Sequence, residues 1–157
     1  MESGRNIGKM KKFESIASTS TPYINYDPGS RVYIISGESR PEDVEQFYDP
    51  LMNWLDELQK NIITEAQQSR DEQKHEFIFE FEYYNSASGK YLYHIISKID
   101  DIRNAVENQS YLNGNMSKVE FGINWHHDQE DDFMQEAGEE MQDATEIEIT
   151  TKAIEHE

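Results

Sequence analysis

The chain has 157 residues, 32 Asp and Glu against 14 Lys and Arg, a formal net charge of -18, no cysteine and 36% hydrophobic residues. That length fits a single hydrophobic core, since domains cluster at about 100–150 residues, and the lack of cysteine excludes disulfides and thiol chemistry. Binding to nucleic acid or anionic lipid is driven by Lys and Arg meeting phosphate, so the acidity predicts protein partners, no nucleic acid and no membrane. No apolar stretch approaches the roughly 20 residues that cross a bilayer, and Met1 to Lys12 lacks the apolar run of a signal peptide; a cytoplasmic protein, monomeric when free, is expected.

Charge is unevenly spread along the chain. Arg5, Lys9, Lys11 and Lys12 outweigh Glu2 in the first twelve residues, whereas His126 to Glu157 hold twelve acids and only Lys152. Residues 1–20 are small and polar without periodicity and read as a flexible arm. Order is expected from Pro22, where Tyr23 to Tyr26 and Arg31 to Ser36 flank Asp27-Pro28-Gly29-Ser30, a turn sequence that predicts a β-hairpin. Pro41, Glu42 and Asp43 suit a first helical turn. Val44, Phe47, Leu51, Trp54, Leu58 and Ile62 then mark one face of a helix, with a kink or restart expected near Asp49 because Pro50 lies inside it.

From His75 to Tyr84 the period changes to two, with Phe77, Phe79, Phe81 and Tyr83 on one face, which predicts a strand. Asn85 to Gly89 breaks it, and Leu92, Ile95, Ile96, Ile99, Ile102 and Val106 return to helical spacing. Asn108 to Ser117 reads as a polar loop. Val119, Phe121, Ile123 and Trp125 alternate as another strand, followed by His126 to Asp132 turning into a short helix with Phe133, Met134, Ala137 and Met141. Residues 144–157 are expected to be a frayed acidic tail with at most a weak strand through Ile147 and Ile149. The order β-β-α-β-α-β-α implies an α/β fold, a small mixed sheet with helices packed against it and parallel strands joined by right-handed crossovers.

The strand-to-helix junction Tyr84-Asn85-Ser86-Ala87-Ser88-Gly89-Lys90 is the candidate functional point, because such turns lie at the carboxyl edge of an α/β sheet. Ser86 and Ser88 fall at a helix N-terminus, where N–H groups and the dipole accommodate a phosphate; the plain alternative is that Asn85 or Ser86 merely caps the helix. A phosphate loop is excluded because Tyr84 stands where its first glycine belongs and Tyr91 follows Lys90, and a nucleophile elbow is excluded because Ser86 stands two positions before Ser88. The run His126-His127-Asp128-Gln129-Glu130-Asp131-Asp132 carries ligand types for a divalent metal, which leaves a small metal-binding module or metal-dependent hydrolase as the alternative reading. Its spacing matches neither a zinc helix nor a calcium loop, so no metal or other cofactor is assigned.

Together, Thr21-Pro22 before the hairpin, Ser36-Gly37-Glu38-Ser39-Arg40-Pro41-Glu42 before a helix with Phe47-Tyr48 and Trp54-Leu55, Tyr84-Asn85-Ser86-Ala87-Ser88, and Trp125-His126-His127-Asp128 with Glu130-Asp131-Asp132 resemble the SiaC family of regulatory phosphoproteins. The resemblance covers residues 21–143. It implies a single STAS-like domain, similar to the anti-sigma factor antagonists that work by partner switching, and no enzymatic activity. It also implies phosphorylation by a protein kinase of histidine-kinase-like ATPase fold, reversal by a PP2C-type phosphatase, and binding of the unphosphorylated form to an effector such as a diguanylate cyclase, which it activates. By position the modified residue is Ser86, directly after Asn85, with Ser88 of Ser88-Gly89 as its rival. Asn85, Ser86, Ser88 and Lys90 are the expected partner-binding residues.

Overall fold

In the computed structural model, which describes residues 10–155, the period-two segments become the strands β1 (Phe13–Ser15), β2 (Tyr23–Asp27), β3 (Val32–Ser39), β4 (Gln73–Tyr84), β5 (Val119–Asp128) and β6 (Ile149–Ile154). Three helices connect the last four: α1 (Val44–Gln68), α2 (Ser86–Leu112) and α3 (Asp132–Ala144). The strands form one mixed sheet in chain order, β2 antiparallel to both β1 and β3 and the run from β3 to β6 parallel. Every βαβ step advances in the same direction, so crossovers of one hand lay all three helices on the same side. Alternate residues of each strand therefore enter one core: Tyr26, Tyr33, Ile35, Phe77, Phe79, Ile123 and Trp125 meet Leu55, Leu58, Ile62, Ile95, Ile99 and Ile102. The α/β expectation holds, as one small domain of two layers.

The hairpin closes as Asp27 Oδ1 accepts from Gly29 N (2.9 Å) and Asp27 O from Arg31 N (2.9 Å). Its left-handed residue is Arg31, at φ 60°, in place of the glycine of the turn sequence. α1 starts at Val44 behind an Asp43 cap that accepts from Gln46 N (3.1 Å), so Pro41 and Glu42 precede the helix. It continues through Pro50 without a restart. Pro50 and Gln46 are both solvent-exposed, and water can satisfy the carbonyl that the missing N–H leaves free.

Other boundaries differ where polar residues mask the pattern. α2 runs to Leu112, beyond the loop expected from Asn108, because its last turn is solvated on all sides and carries no apolar period. Within the arm assigned to residues 1–20, residues 1–9 lie outside the described region, but β1 pairs with β2 and Trp54 Nε1 donates to Lys11 O (2.9 Å) beside the Phe13 ring. Three residues are too few to show a period. The acidic tail supplies β6, with Ile147 and Ile149 buried and Gln142 clamping them: its Nε2 donates to Ile147 O (2.9 Å) and its Oε1 accepts from Ile149 N (2.6 Å). Residues 156–157 lie outside the described region.

A buried polar chain braces the amino edge of the sheet. Gln73 Nε2 donates to Ile62 O (3.2 Å), which turns Gln73 Oε1 toward His75 Nε2 (2.8 Å) and leaves His75 Nδ1 to accept from the Tyr33 hydroxyl (2.7 Å). Burial first, and the Arg31 charge second, push the His75 pKa down from 6.5 to about 3. Because the folded protein refuses a proton that the unfolded chain takes up below pH 6.5, this group's contribution to stability is complete above pH 6.5 and falls as the pH drops toward 3. Chemical denaturation of His75→Phe should show a pH dependence between 6.5 and 4.5 that is flatter than wild type by up to about 1.4 kcal/mol per pH unit. Identical slopes for the two proteins would count against a neutral His75.

Candidate functional site

The carboxyl edge of the sheet is shaped by an irregularity in the parallel pairing of β3 and β4. Gly37 faces Phe81, but Glu38 faces Tyr83, so Glu82 is skipped. Gly37 sits at φ 104°, a conformation that side-chain-bearing residues rarely adopt. Such bulges redirect side chains at sheet edges. Beyond it Ser39 pairs with Tyr84, and Asn85 N donates to Ser39 O (3.1 Å), which starts α2 beside the end of β3. Asn85 is the cap: its Oδ1 accepts from Ser88 N (2.9 Å) and its carbonyl from Gly89 N (2.9 Å).

The two candidate serines have opposite environments. Ser88 is completely buried and accepts from Ser39 Oγ (2.8 Å), which in turn lies 2.6 Å from the Tyr48 hydroxyl. Ser39 has one hydroxyl proton and gives it to Ser88, so the Tyr48 hydroxyl is the donor to Ser39; burial pushes the Tyr48 pKa up to about 12. Ser86, the first residue of α2, is exposed, and its hydroxyl has no hydrogen-bond partner among the described residues. Lys90 lies one turn further along the same face, exposed and without an ion pair among the described residues. An anion on Ser86 would meet the free N–H groups of the first turn and a cation at the favourable i,i+4 spacing.

Exposed aromatic rings stand on the two helices that follow this junction, a feature the sequence reading missed. Both helices sit tightly on rings of the sheet: a Cβ on Gly89 would lie 2.9 Å from the Tyr84 ring, and one on Gly138 would lie 2.5 Å from Trp125. Tyr84 and Trp125 meet edge to face at 6.3 Å, and Trp125 Nε1 donates to Met134 O (3.0 Å). Phe133 is 79% exposed on the first turn of α3, and Tyr93 is 37% exposed two turns beyond Ser86 on the same side of α2. Glu136 and Glu140, in the next two turns after Phe133, make that helix acidic, and burial with the Glu140 charge raises the Tyr84 pKa. The available signal was Phe133 itself, placed directly behind a cap and off the apolar period of Met134, Ala137 and Met141.

The run from His126 to Asp132 does not converge. β5 extends to Asp128, past the expected end at Trp125, so neighbouring side chains point to opposite faces. His126 Nδ1 lies 3.1 Å from Glu80 Oε1 on the helix-free face, whereas His127 is buried with Nδ1 against Asp128 O (2.9 Å). Asp131 caps α3 by accepting from Met134 N (3.0 Å), and Asp128 Oδ1 accepts from Glu130 N (2.9 Å). Among the described residues no three His, Asp or Glu side chains are grouped to hold a metal ion.

The model of the SiaC family of regulatory phosphoproteins matches residues 16–154. The chain belongs to the SiaC family. Two solved structures of SiaC from Pseudomonas aeruginosa are similar to it. The apo form has 18% identity, a TM-score of 0.69 and coverage of 92% of this chain and 100% of that one. The second has 18% identity, a TM-score of 0.67 and coverage of 94% and 100%. The crystal structure of the diguanylate cyclase SiaD in complex with its activator SiaC, from the same organism, also matches, at 19% identity, a TM-score of 0.62 and coverage of 90% and 99%. At these identities the likeness establishes the fold. A comparison with curated proteins gave no match.

For this SiaC family member, the geometry separates the two serines by their effect on stability. Ser88→Ala removes a buried link and should lower the unfolding free energy by about 1–2 kcal/mol, while Ser86→Ala removes an unpartnered surface hydroxyl and should change it by less than about 0.5 kcal/mol. Urea denaturation of both variants checks this. Equal losses would mean that Ser86 is bound into the fold after all.

Proposed function

We propose that this SiaC family member is a non-enzymatic, cytoplasmic signalling phosphoprotein that exchanges protein partners according to the phosphorylation state of Ser86. The observation that carries this reading is the contrast at the junction, one serine exposed and unpartnered at a helix N-terminus and its rival sealed in the core. Asn85 fixes the turn, Ser88 anchors it from below, and Lys90 balances charge above it. Tyr93 on α2 and Phe133 on α3 supply exposed aromatic rings of the kind on which interface energy concentrates. Among the described residues no helix is long and apolar enough to cross a membrane.

A protein kinase of histidine-kinase-like ATPase fold would add the phosphate and a PP2C-type phosphatase would remove it. The effector is a diguanylate cyclase or a similar enzyme, bound and activated by the unphosphorylated form; the support is the family and the resemblance to a SiaC seen with its cyclase. A phosphate brings about -1.5 to -2 charge at neutral pH. A partner closing over Ser86 would have to strip water from it, and a loss of ~3 kcal/mol weakens binding more than 100-fold.

The test is phosphorylation by the kinase and ATP, with the site mapped by mass spectrometry and affinity for the cyclase measured for both forms. Modification should be confined to Ser86, vanish in Ser86→Ala, and weaken cyclase binding at least 100-fold, while unphosphorylated Ser86→Ala binds as wild type. Modification that persists in the doubly substituted Ser86→Ala, Ser88→Ala protein would rule out this junction as the switch.

A further inference from the structure

Among the described residues, the side of the sheet opposite the helices has no counterpart layer. Parallel strands are normally covered on both faces, because βαβ connections place helices on each side. Here all three helices lie together, so no described element covers the other face of the parallel strands β3 to β6. That face is not uniformly polar. Asn25, Ile34, Ile78 and Asn124 stand side by side across β2 to β5, which puts two β-branched side chains at its centre. Asn25 Oδ1 is buried there without a hydrogen-bond partner, although buried acceptors are almost always satisfied. The next row toward the carboxyl edge is Tyr23, Ser36, Glu80, His126 and Lys152. It leads into a cavity of about 480 Å³ whose lining includes Ser36, Glu80, Glu82 and Asp131. The carboxylates of Glu80, Glu82, Asp128 and Asp131 and the Ser36 hydroxyl share that lining with Phe81, His127 and Ile154, and what complements the carboxylates is a planar cation with several N–H donors.

We infer that this helix-free face is a second protein-docking surface, separate from the Ser86 junction, and that it takes an arginine-bearing amphipathic segment of a partner protein. The apolar side of the segment covers Ile34 and Ile78, and an arginine enters the cavity between Glu80 and Glu82. Charge complementarity selects this occupant. A second copy of the chain brings a further -18, and nucleic acid is repelled by the same carboxylates.

The test uses the full chain, 15N-labelled, titrated with a synthetic 18-residue helical peptide carrying Leu on one side and Arg on its flanks, beside the same peptide with Glu for Arg. The side-chain amides of Asn25 and Asn124 and the backbone amides of β3 and β4 should shift with the Arg peptide alone. Ile78→Lys, and separately Ile34→Ser as a milder change, should weaken binding at least tenfold. Glu80→Gln with Glu82→Gln should weaken it at least threefold, whereas Glu57→Gln on the outer side of α1 should leave it unaltered. Shifts spread evenly over the acidic helices, equal affinity in the Ile78→Lys protein, or concentration-dependent self-association through these rows would each overturn the proposal. No phosphate enters the readout, so its failure is distinct from failure of the Ser86 switch.

Discussion

Three hydroxyls hold the corner on which the candidate site rests. Tyr48 on α1 donates to Ser39 at the end of β3, and Ser39 donates to Ser88 in the first turn of α2. Each link lies in the core, where an unmade hydrogen bond costs about 1–3 kcal/mol. The backbone bond from Asn85 to the Ser39 carbonyl locks the same point from the main chain. Three elements, α1, β3 and α2, therefore meet in one network, and the direction in which Ser86 faces follows from it. With Ser88 inward and Asn85 spent on capping, a residue two positions before Ser88 must turn to the outer side of the helix, since two residues span about 200°.

The core beneath this corner is aromatic and layered. Tyr33 stacks on Phe77 at 4.4 Å, Phe79 on Trp125 at 5.8 Å, and Tyr48 on Tyr91 at 5.6 Å between α1 and α2. α3 approaches the sheet closely only because Gly138 leaves room for the Trp125 ring, and α2 does likewise where Gly89 passes Tyr84. Two rings packed against two glycines keep the helices seated on the sheet. The acidic chain offsets little of its own charge: Lys98 reaches Asp56 (2.5 Å) and Arg103 bridges Asp100 (2.7 Å) and Glu107 (2.9 Å), but most carboxylates stay solvated.

Periodicity exposed the parts that bury a stripe. β4, about the first five turns of α1 and the apolar face of α2 were legible because each shows an alternation of period two or 3.6. β6 was not: only Ile149 and Ile154 of its six residues are even partly shielded, and an edge strand paired on one side needs little apolar surface to stay in place. The end of α2 was hidden for the converse reason, since a helix running past the core carries no stripe. At the site, the sequence led to the junction and, through the family resemblance, put Ser86 ahead of its rival Ser88, but the residues alone gave no physical reason for that order. That ranking depends on Ser39, 49 residues away, reaching across to Ser88. Strand geometry parts the candidate metal ligands of β5, because adjacent residues there face opposite sides of the sheet.

A modification can control binding without unfolding its carrier only if it breaks nothing in the carrier. Ser86 meets that condition: its hydroxyl contributes no hydrogen bond to the described structure, and its neighbours are the open N–H groups of a first helical turn and an unpaired lysine one turn away. A phosphate there removes no contact within the domain and gains favourable local charge. Repulsion from the many distant carboxylates is screened over about 8–10 Å at ordinary salt. The same phosphate on Ser88 would have to displace the Ser39 and Tyr48 hydroxyls and separate α2 from β3, so modification would require the domain to open. The hydroxyl chain at the corner is what separates the two serines: a phosphate on Ser86 would leave that chain intact, whereas one on Ser88 would break it.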